Sequence, residues 1–322
     1  MRAAIRGTLG TTDLDTLPQI DLEWRGRWTS LADLGITSFC VPEEQGGFGL
    51  NVAAAVATAS ELGAALHASP FAGITAATRS LAEHDDAECS DLVAALISGV
   101  SVAAFGRLGA DGVARTVDGA ADADALLLVD GDADTMMLIT DRAAWTSLPA
   151  RPSFDVSRAC ADLAIDSSLA RRIPTSYVAR DLHGLLLAAD SLGGVQRMLG
   201  RTVTYAGQRQ AFGRPIGGFQ AVQHRLVDHT VRIRGMALLI TEAARQLATG
   251  DPGAHRSVVL AELAVSSGAV HVLHDLLQIS GAIGFTWEYG LHHYERRAHQ
   301  TARLAANPRA ATRALAAVEG WS

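Results

Sequence analysis

The sequence predicts a mostly α fold with a small β middle domain: a helical N-terminal domain over residues 1–97, a reduced β unit over 98–170 and a four-helix bundle over 171–322. Three observations carry this prediction. Small, helix-favouring residues fill AAAVATASELGAALHA in the first hundred residues. From Ser101 the texture changes to short apolar runs divided by glycine and aspartate, which is how strands read. Beyond Pro174, apolar residues recur at every seventh position, as they do along the seam of a helix bundle.

In chain order, Trp28 to Leu34 is a short amphipathic helical piece ended by Gly35. The glycines of GITSFCVPEEQGGFGL supply turn geometry, and Pro42 stops regular structure. Asn51 is placed to cap the helix that follows. VAAFGRL, ADALLLVDG and TMMLITD read as strands, with AWTSLPA and ACADLAIDS as two further candidates; so short a stretch implies a reduced β unit. Arg171 and Arg172 read as a solvated helix entrance. The first bundle helix spans Thr175 to Ala206. In the second, Phe219, Leu226, Ile233, Ile240 and Leu247 form the heptad seam, with Val222, His229, Met236 and Ala243 between them. Gly250 ends it, and Asp251 and Pro252 supply an N-cap and a first-turn proline for the third. Leu260, Leu263, Val270, Leu273 and Leu277 line that helix, and a fourth follows Gly284.

Composition excludes several classes. The chain is 48% hydrophobic and 19% charged, which is globular. Its net charge is -7 and no basic stripe forms, so nucleic acid is not an expected partner. It has no lysine: all 27 basic residues are arginine. Cys40, Cys89 and Cys160 are isolated, as expected in a reducing cytoplasm. No apolar signal core lies in Met1 to Thr12 and no run of about 18 apolar residues occurs, so a cytoplasmic protein is expected. The histidines at 271, 274, 292 and 293 lack a completing cysteine or acid pair, and no metal is expected.

Two segments are more specific. RQAFGRPIGGFQAVQHR (209–225) and GAIGFTWEYGLHHYERRA (281–298) resemble the flavin-binding dimer face of acyl-CoA dehydrogenases. LADLGITSFCVPEEQGGFGL (31–50) is similar to that family's N-terminal segment with its Pro-Glu-x-x-Gly-Gly turn. The resemblance implies FAD at a subunit interface, the ring held by one chain's middle domain and the adenine diphosphate end by the other chain's bundle. The positions that match the second role are Arg209, Phe212, Gln220, Gln278, Gly281 and Gly284. Their chemistry suits it: a permanent cation for pyrophosphate, an apolar ring, two neutral amides for polar edges, and glycines that let backbone approach a ligand.

The departures are equally informative. Where the family carries a Thr-Glu-Pro-like, glycine- and serine-rich ring loop, this chain has VAAFGRLGADGVAR. The family's usual catalytic glutamate falls on Ala305, which cannot act as a base. The alternative position, on the first bundle helix, falls near His183, beside Asp181; these are the two weak catalytic candidates. Glu288 and Glu295 are read as interface or helix-end residues. The chain thus resembles the smaller, base-lacking subunit of actinobacterial heterotetrameric (α2β2) acyl-CoA dehydrogenases of steroid side-chain degradation. The resemblance implies a subunit that lends the adenine diphosphate half-site to a catalytic partner, for α,β-dehydrogenation of a bulky, steroid-like acyl-CoA. A self-sufficient homomeric enzyme with an unusual base, and a flavin-free scaffold, are the alternatives.

Overall fold

The computed structural model describes residues 2–9, 24–130, 135–149, 153–174, 177–304 and 308–321. Ala305, the expected base position, lies outside them. The N-terminal part is helical: α1 (Arg2–Leu9), α2 (Arg25–Ala32), α3 (Val52–Ala64), α4 (Phe71–Leu81) and α5 (Ala87–Ile97). Gly35 takes the left-handed conformation expected of it, with φ 77°. Asn51 caps α3 by accepting the Ala54 N–H at 3.1 Å.

Seven strands follow in one sheet: β1 (Ala103–Leu108), β2 (Val113–Asp118), β3 (Ala125–Asp130), β4 (Thr135–Ile139), β5 (Trp145–Ser147), β6 (Cys160–Ile165) and β7 (Arg171–Pro174). Their order is β5-β6-β2-β1-β3-β4-β7. β1 and β3 are parallel and the other pairings antiparallel. Alternation sends Ala103, Phe105, Leu127 and Leu138 into the helical core, and Ala104, Leu126, Leu128 and Trp145 into a second core enclosed by the curled sheet.

Two strands exceed the expected β unit. β2 is hidden in the sequence by Arg115 and Thr116, where the register slips and Thr116 adopts φ 53°. β7 contains Arg171 and Arg172, read from sequence as a helix entrance. Paired with β4, they instead anchor the sheet edge: Arg171 binds Asp86 at 2.6 Å and Glu88 at 2.9 Å, and Arg172 binds Asp130 at 2.7 Å.

The C-terminal part contains α6 (Tyr177–Gln208), a hairpin of β8 (Gln210–Ala211) and β9 (Arg214–Pro215), α7 (Gln220–Thr249), α8 (Ala254–Ser280), α9 (Leu291–Leu304) and α10 (Pro308–Val318). The seam of α7 is buried at His229, Ile233, Met236, Ile240, Ala243 and Leu247, but Phe219, Val222 and Leu226 are only half-buried. α8 starts at Ala254 rather than at Pro252, because Asp251 closes a turn by accepting the Gly253 N–H at 2.8 Å. The stretch Ala254–Phe285 is long and apolar enough to cross a membrane. Here it is a bundle helix, with Val258, Val265, Val272 and Leu276 in the core.

α3 and α6 touch backbone to backbone. A Cβ on Gly63 would meet the Asp190 carbonyl oxygen at 2.0 Å, and one on Gly193 would meet that of Ser60 at 1.9 Å. Beside this contact lies a buried charge network. Arg297 of α9 grips Asp190 of α6 with Nε at 3.0 Å and Nη2 at 2.7 Å. It also donates to the His67 carbonyl at 2.8 Å and to Ser157 Oγ at 3.1 Å. Arg158 contacts the same Asp190 at 3.1 Å and hydrogen-bonds Asp118 of β2. Arg158 and Arg297 are only 4% and 3% exposed. Burial pushes the Asp190 carboxyl up, but the two guanidiniums outweigh it and hold its pKa below the usual value. In Asp118 burial prevails over Arg158, and its pKa rises.

Removing one partner of such a network strands a buried charge. Arg297→Ala is therefore expected to cost about 3–5 kcal/mol of stability, read as a lowered urea midpoint. A loss below about 1 kcal/mol would mean that Asp190 is hydrated and the network is not structural.

Candidate functional site

The end of the bundle formed by the last turn of α6, the β8–β9 hairpin, the start of α7 and the end of α8 brings together most of the expected cofactor residues. α6 gives way to the hairpin at Arg209, whose N–H donates to the Tyr205 carbonyl at 2.8 Å and whose own carbonyl accepts the Ile216 N–H at 2.8 Å. Its exposed side chain has no ion-pair partner among the described residues. The hairpin turns on Phe212 and Gly213, with φ 52° and 78°. Positive φ at both central residues is the two-residue turn that matches strand twist. A phenylalanine is strained there, and its ring is 95% exposed. Phe219 stays behind it at 6.2 Å, edge to face, under the Arg214 guanidinium at 4.0 Å.

Gln220 opens α7 and Gln278 lies near the end of α8, both exposed. One bridge fixes these helix ends together. Arg225 donates through Nε to Asp275 at 2.9 Å, and His229 Nε2 lies 2.5 Å from the same carboxylate. Burial raises the Asp275 pKa, but the hydrogen bonds from Arg225 and His229 carry it below the usual value. Gln220 is thus five residues before the bridge and Gln278 three after it. Gly281 ends α8 at φ 64° and ψ −144°, a region only glycine occupies comfortably. Gly284, expected to admit a ligand, is buried. A Cβ there would lie 3.0 Å from the Leu277 carbonyl oxygen, so its smallness serves the packing of the 281–285 turn on α8.

The two weak catalytic candidates point to opposite sides of α6. Asp181 is buried and lies 2.9 Å from His255 Nδ1 of α8; that hydrogen bond raises the histidine's pKa. Glu262 lies beside them, pushed up to about 8 by burial and by Asp181. His183 turns instead toward the sheet, with its ring 4.8 Å from that of Phe105 on β1. Burial, then the charge of Arg158, depresses its pKa to about 4. A base so weak, set against an apolar ring, is poorly matched to proton abstraction near neutral pH. The β1–β2 turn, where the resembled family carries its ring loop, is closed by Asp111 and Arg115 at 3.0 Å and has no hydroxyl side chain between Leu108 and Val113.

Sequence reasoning missed the aromatic surface beside Gly281: Phe285 is 63% exposed and Trp287 is 51% exposed. Trp287 lies 5.0 Å from the His292 ring and 4.9 Å from that of His293. The aromatic residues of GFTWEY carried that signal. Among the described residues, no three His, Cys, Asp or Glu side chains converge as a metal site.

A helical N-terminal part, a curled sheet, and a bundle ending in an exposed cation, an aromatic tip and two amides match the architecture that the resemblance to a flavin-dependent oxidoreductase implies. The comparisons name it. Residues 12–85 match the family model for the acyl-CoA dehydrogenase N-terminal domain, and residues 182–306 match that for the C-terminal domain. Over 296 residues the chain is 33% identical to the acyl-CoA dehydrogenase IpdE2 of Mycobacterium tuberculosis, covering 89% of this chain and 85% of that one. It is 32% identical to FadE34 of the same organism over 86% of this chain, which spans 39% of that longer protein. The chain belongs to the acyl-CoA dehydrogenase family. FAD, the cofactor expected from the resemblance, agrees with that membership. The fold is shared with the ChsE4–ChsE5 complex of M. tuberculosis (TM-score 0.83, 24% identity, 100% of this chain and 95% of that one). It is shared too with a steroid ACAD, Tcur3481–Tcur3483 (0.84, 22%, 99% and 96%), and with PigA with FAD and proline (0.86, 19%, 99% and 96%).

The depressed pKa of His183 has a consequence for stability. From its ordinary 6.5 down to about 4, the unfolded chain takes up a proton that the folded chain refuses. His183 therefore contributes stability that is complete above this window and is lost as pH falls through it. His183→Leu is expected to shrink the drop in urea midpoint between about pH 7 and about pH 5. An equal drop in both proteins would show that His183 titrates normally and faces water.

Proposed function

We propose that this chain is the accessory subunit of a heteromeric, FAD-dependent acyl-CoA dehydrogenase, with α2β2 stoichiometry and no base of its own. The observation that carries this reading is an asymmetry. The residues suited to the adenine diphosphate end stand exposed, whereas in the β1 segment that replaces the resembled family's ring loop Phe105 is buried against His183.

In this reading Arg209 binds the pyrophosphate through its guanidinium fork, and among the described residues it has no carboxylate to surrender first. Phe212 supplies an apolar face to the cofactor or to the partner subunit. Gln220 and Gln278 hydrogen-bond polar edges, held in register by the Arg225–Asp275 bridge. Gly281 keeps the backbone low enough for contact. When bound, the flavin supplies the hydride acceptor for α,β-dehydrogenation; the base that removes the α proton comes from the partner. The relatives named as acyl-CoA dehydrogenases support an acyl-CoA substrate. The steroid ACAD and ChsE4–ChsE5 folds favour a bulky acyl group and a two-chain assembly.

A homomeric enzyme using His183 or Asp181 is disfavoured by their opposed directions, by the low His183 pKa and by the engagement of Asp181 with His255. The exposed Arg209–Phe212 tip argues against a flavin-free scaffold, which gains nothing from a strained aromatic turn.

Two variants test the reading in the chain co-purified with its catalytic partner. Arg209→Ala is expected to weaken flavin binding by about tenfold or more, at least about 1.5 kcal/mol of lost charge-assisted hydrogen bonding, read as lower flavin absorbance per complex. Unchanged flavin would remove Arg209 from the site. His183→Ala is expected to leave the rate of flavin reduction by acyl-CoA unchanged, and a large loss would return catalysis to this chain.

A further inference from the structure

A second feature of α6 has no part in the half-site. One turn before Arg209, a cavity of about 610 Å³ opens between α6 and the 281–290 segment, within the size range of small-molecule sites. Its α6 wall is Gln196, Arg197, Arg201 and Gln208, and its opposite wall includes Tyr289. Arg209 and Phe212 do not line it. A smaller cavity of about 410 Å³ shares Gln196 and Arg197 and extends the basic surface to Arg2 and Arg6 on α1.

We infer that this cavity binds a phosphate-bearing nucleotide, with the phosphates on Arg197 and the ring against Tyr205, Tyr289 and Ile283. The charges differ in availability. Arg6 is committed to Glu61, at 2.6 and 2.9 Å. Arg201 lies over the Tyr289 ring at 4.8 Å and donates to the Glu288 carbonyl at 3.4 Å. Arg197 is exposed and has neither an ion pair nor a hydrogen bond among the described residues. An uncommitted guanidinium at the junction of two cavities presents a fork matched to phosphate oxygens. Tyr205, half-buried and edge to face with buried Tyr289 at 5.8 Å, makes the adjoining wall aromatic, which suits a heteroaromatic ring. Gln196 and Gln208 can each donate to or accept from its edges.

The floor of the cavity is Gly200, in the middle of a 32-residue helix. Glycine is the least favoured interior helix residue apart from proline. At Gly63 and Gly193 a neighbouring backbone explains it. At Gly200 nothing lies within 4 Å of where a Cβ would be. The space left open faces the cavity, where a ligand can come down onto the helix backbone.

That open space also provides a clean test. Gly200→Leu projects into the cavity from a Cβ that meets nothing within 4 Å, so its thermal midpoint is expected to equal or exceed the parent's. ADP is titrated calorimetrically into the full chain and into Gly200→Leu, Arg197→Gln and Arg209→Ala, with adenosine and inorganic pyrophosphate as separate probes. The first two variants are expected to weaken ADP binding by at least about tenfold, one lost charge-assisted contact, and Arg209→Ala to leave that binding event in place. Adenosine is expected to bind more weakly than ADP. The inference is overturned if the parent chain binds no ADP, if Gly200→Leu and Arg197→Gln bind it as the parent does, if only Arg209→Ala abolishes binding, or if adenosine binds as tightly as ADP. Flavin retention by the complex reports on the half-site separately, so either assignment can fail without the other.

Discussion

The double grip on Asp190 is the contact on which the remainder of the architecture depends. One carboxylate on α6 accepts from Arg297 on α9 and pairs with Arg158 from the loop before β6, and Arg158 reaches on to β2. Sheet, bundle and the segment after α3 are thus joined by groups that water scarcely reaches. Isolated charges there would be prohibitive, and only the mutual arrangement makes them tolerable. Hydrophobic packing is tolerant of small slides; a bidentate guanidinium is directional and fixes angle as well as distance. The orientation of α9, and with it the segment leading back to Gly281, follows from this geometry.

From that fixed frame the chain's two halves diverge. Toward the sheet it is closed: Phe105 and His183 meet, and a histidine withdrawn from water prefers to stay neutral. Toward the bundle end it is open, with cations and amides that face solvent and one ring, that of Phe212, held at an unfavourable backbone angle. A protein seldom keeps strained, exposed aromatic residues unless another surface meets them. Both sides are reached along a single helix, α6, which carries His183 near its start and leads into the hairpin at Arg209.

Local signals were legible in the sequence and distant ones were not. The Asn51 cap, the Gly35 turn and the buried half of the α7 seam are set by neighbours within a few residues, and they read directly. Arg209, Phe212, Gln220, Gln278 and Gly281 were expected through resemblance, and their placement at one end of the bundle depends on the bridge between residues 225 and 275. β2 escaped notice because its slip at Thr116 breaks the alternation. β7 escaped because two arginines resemble a helix entrance until their partners at 86, 88 and 130 are known. Gly284 was expected to leave a ligand space that the end of α8 occupies. The Asp190 network joins residues 107 positions apart on the Arg297 side, and no periodicity or motif marks such a pair.

The absence of lysine has a chemical consequence beyond charge. In every ion pair described here the cation is arginine or histidine. Acyl thioesters, the compounds this family handles, transfer their acyl group to amines that have lost a proton. Lysine side chains can do so, whereas a guanidinium stays protonated at any physiological pH. The contacts that hold the sheet to the bundle and α7 to α8 therefore cannot be neutralised by side-chain N-acylation, and a thioester held at high local concentration leaves this scaffold's electrostatics intact.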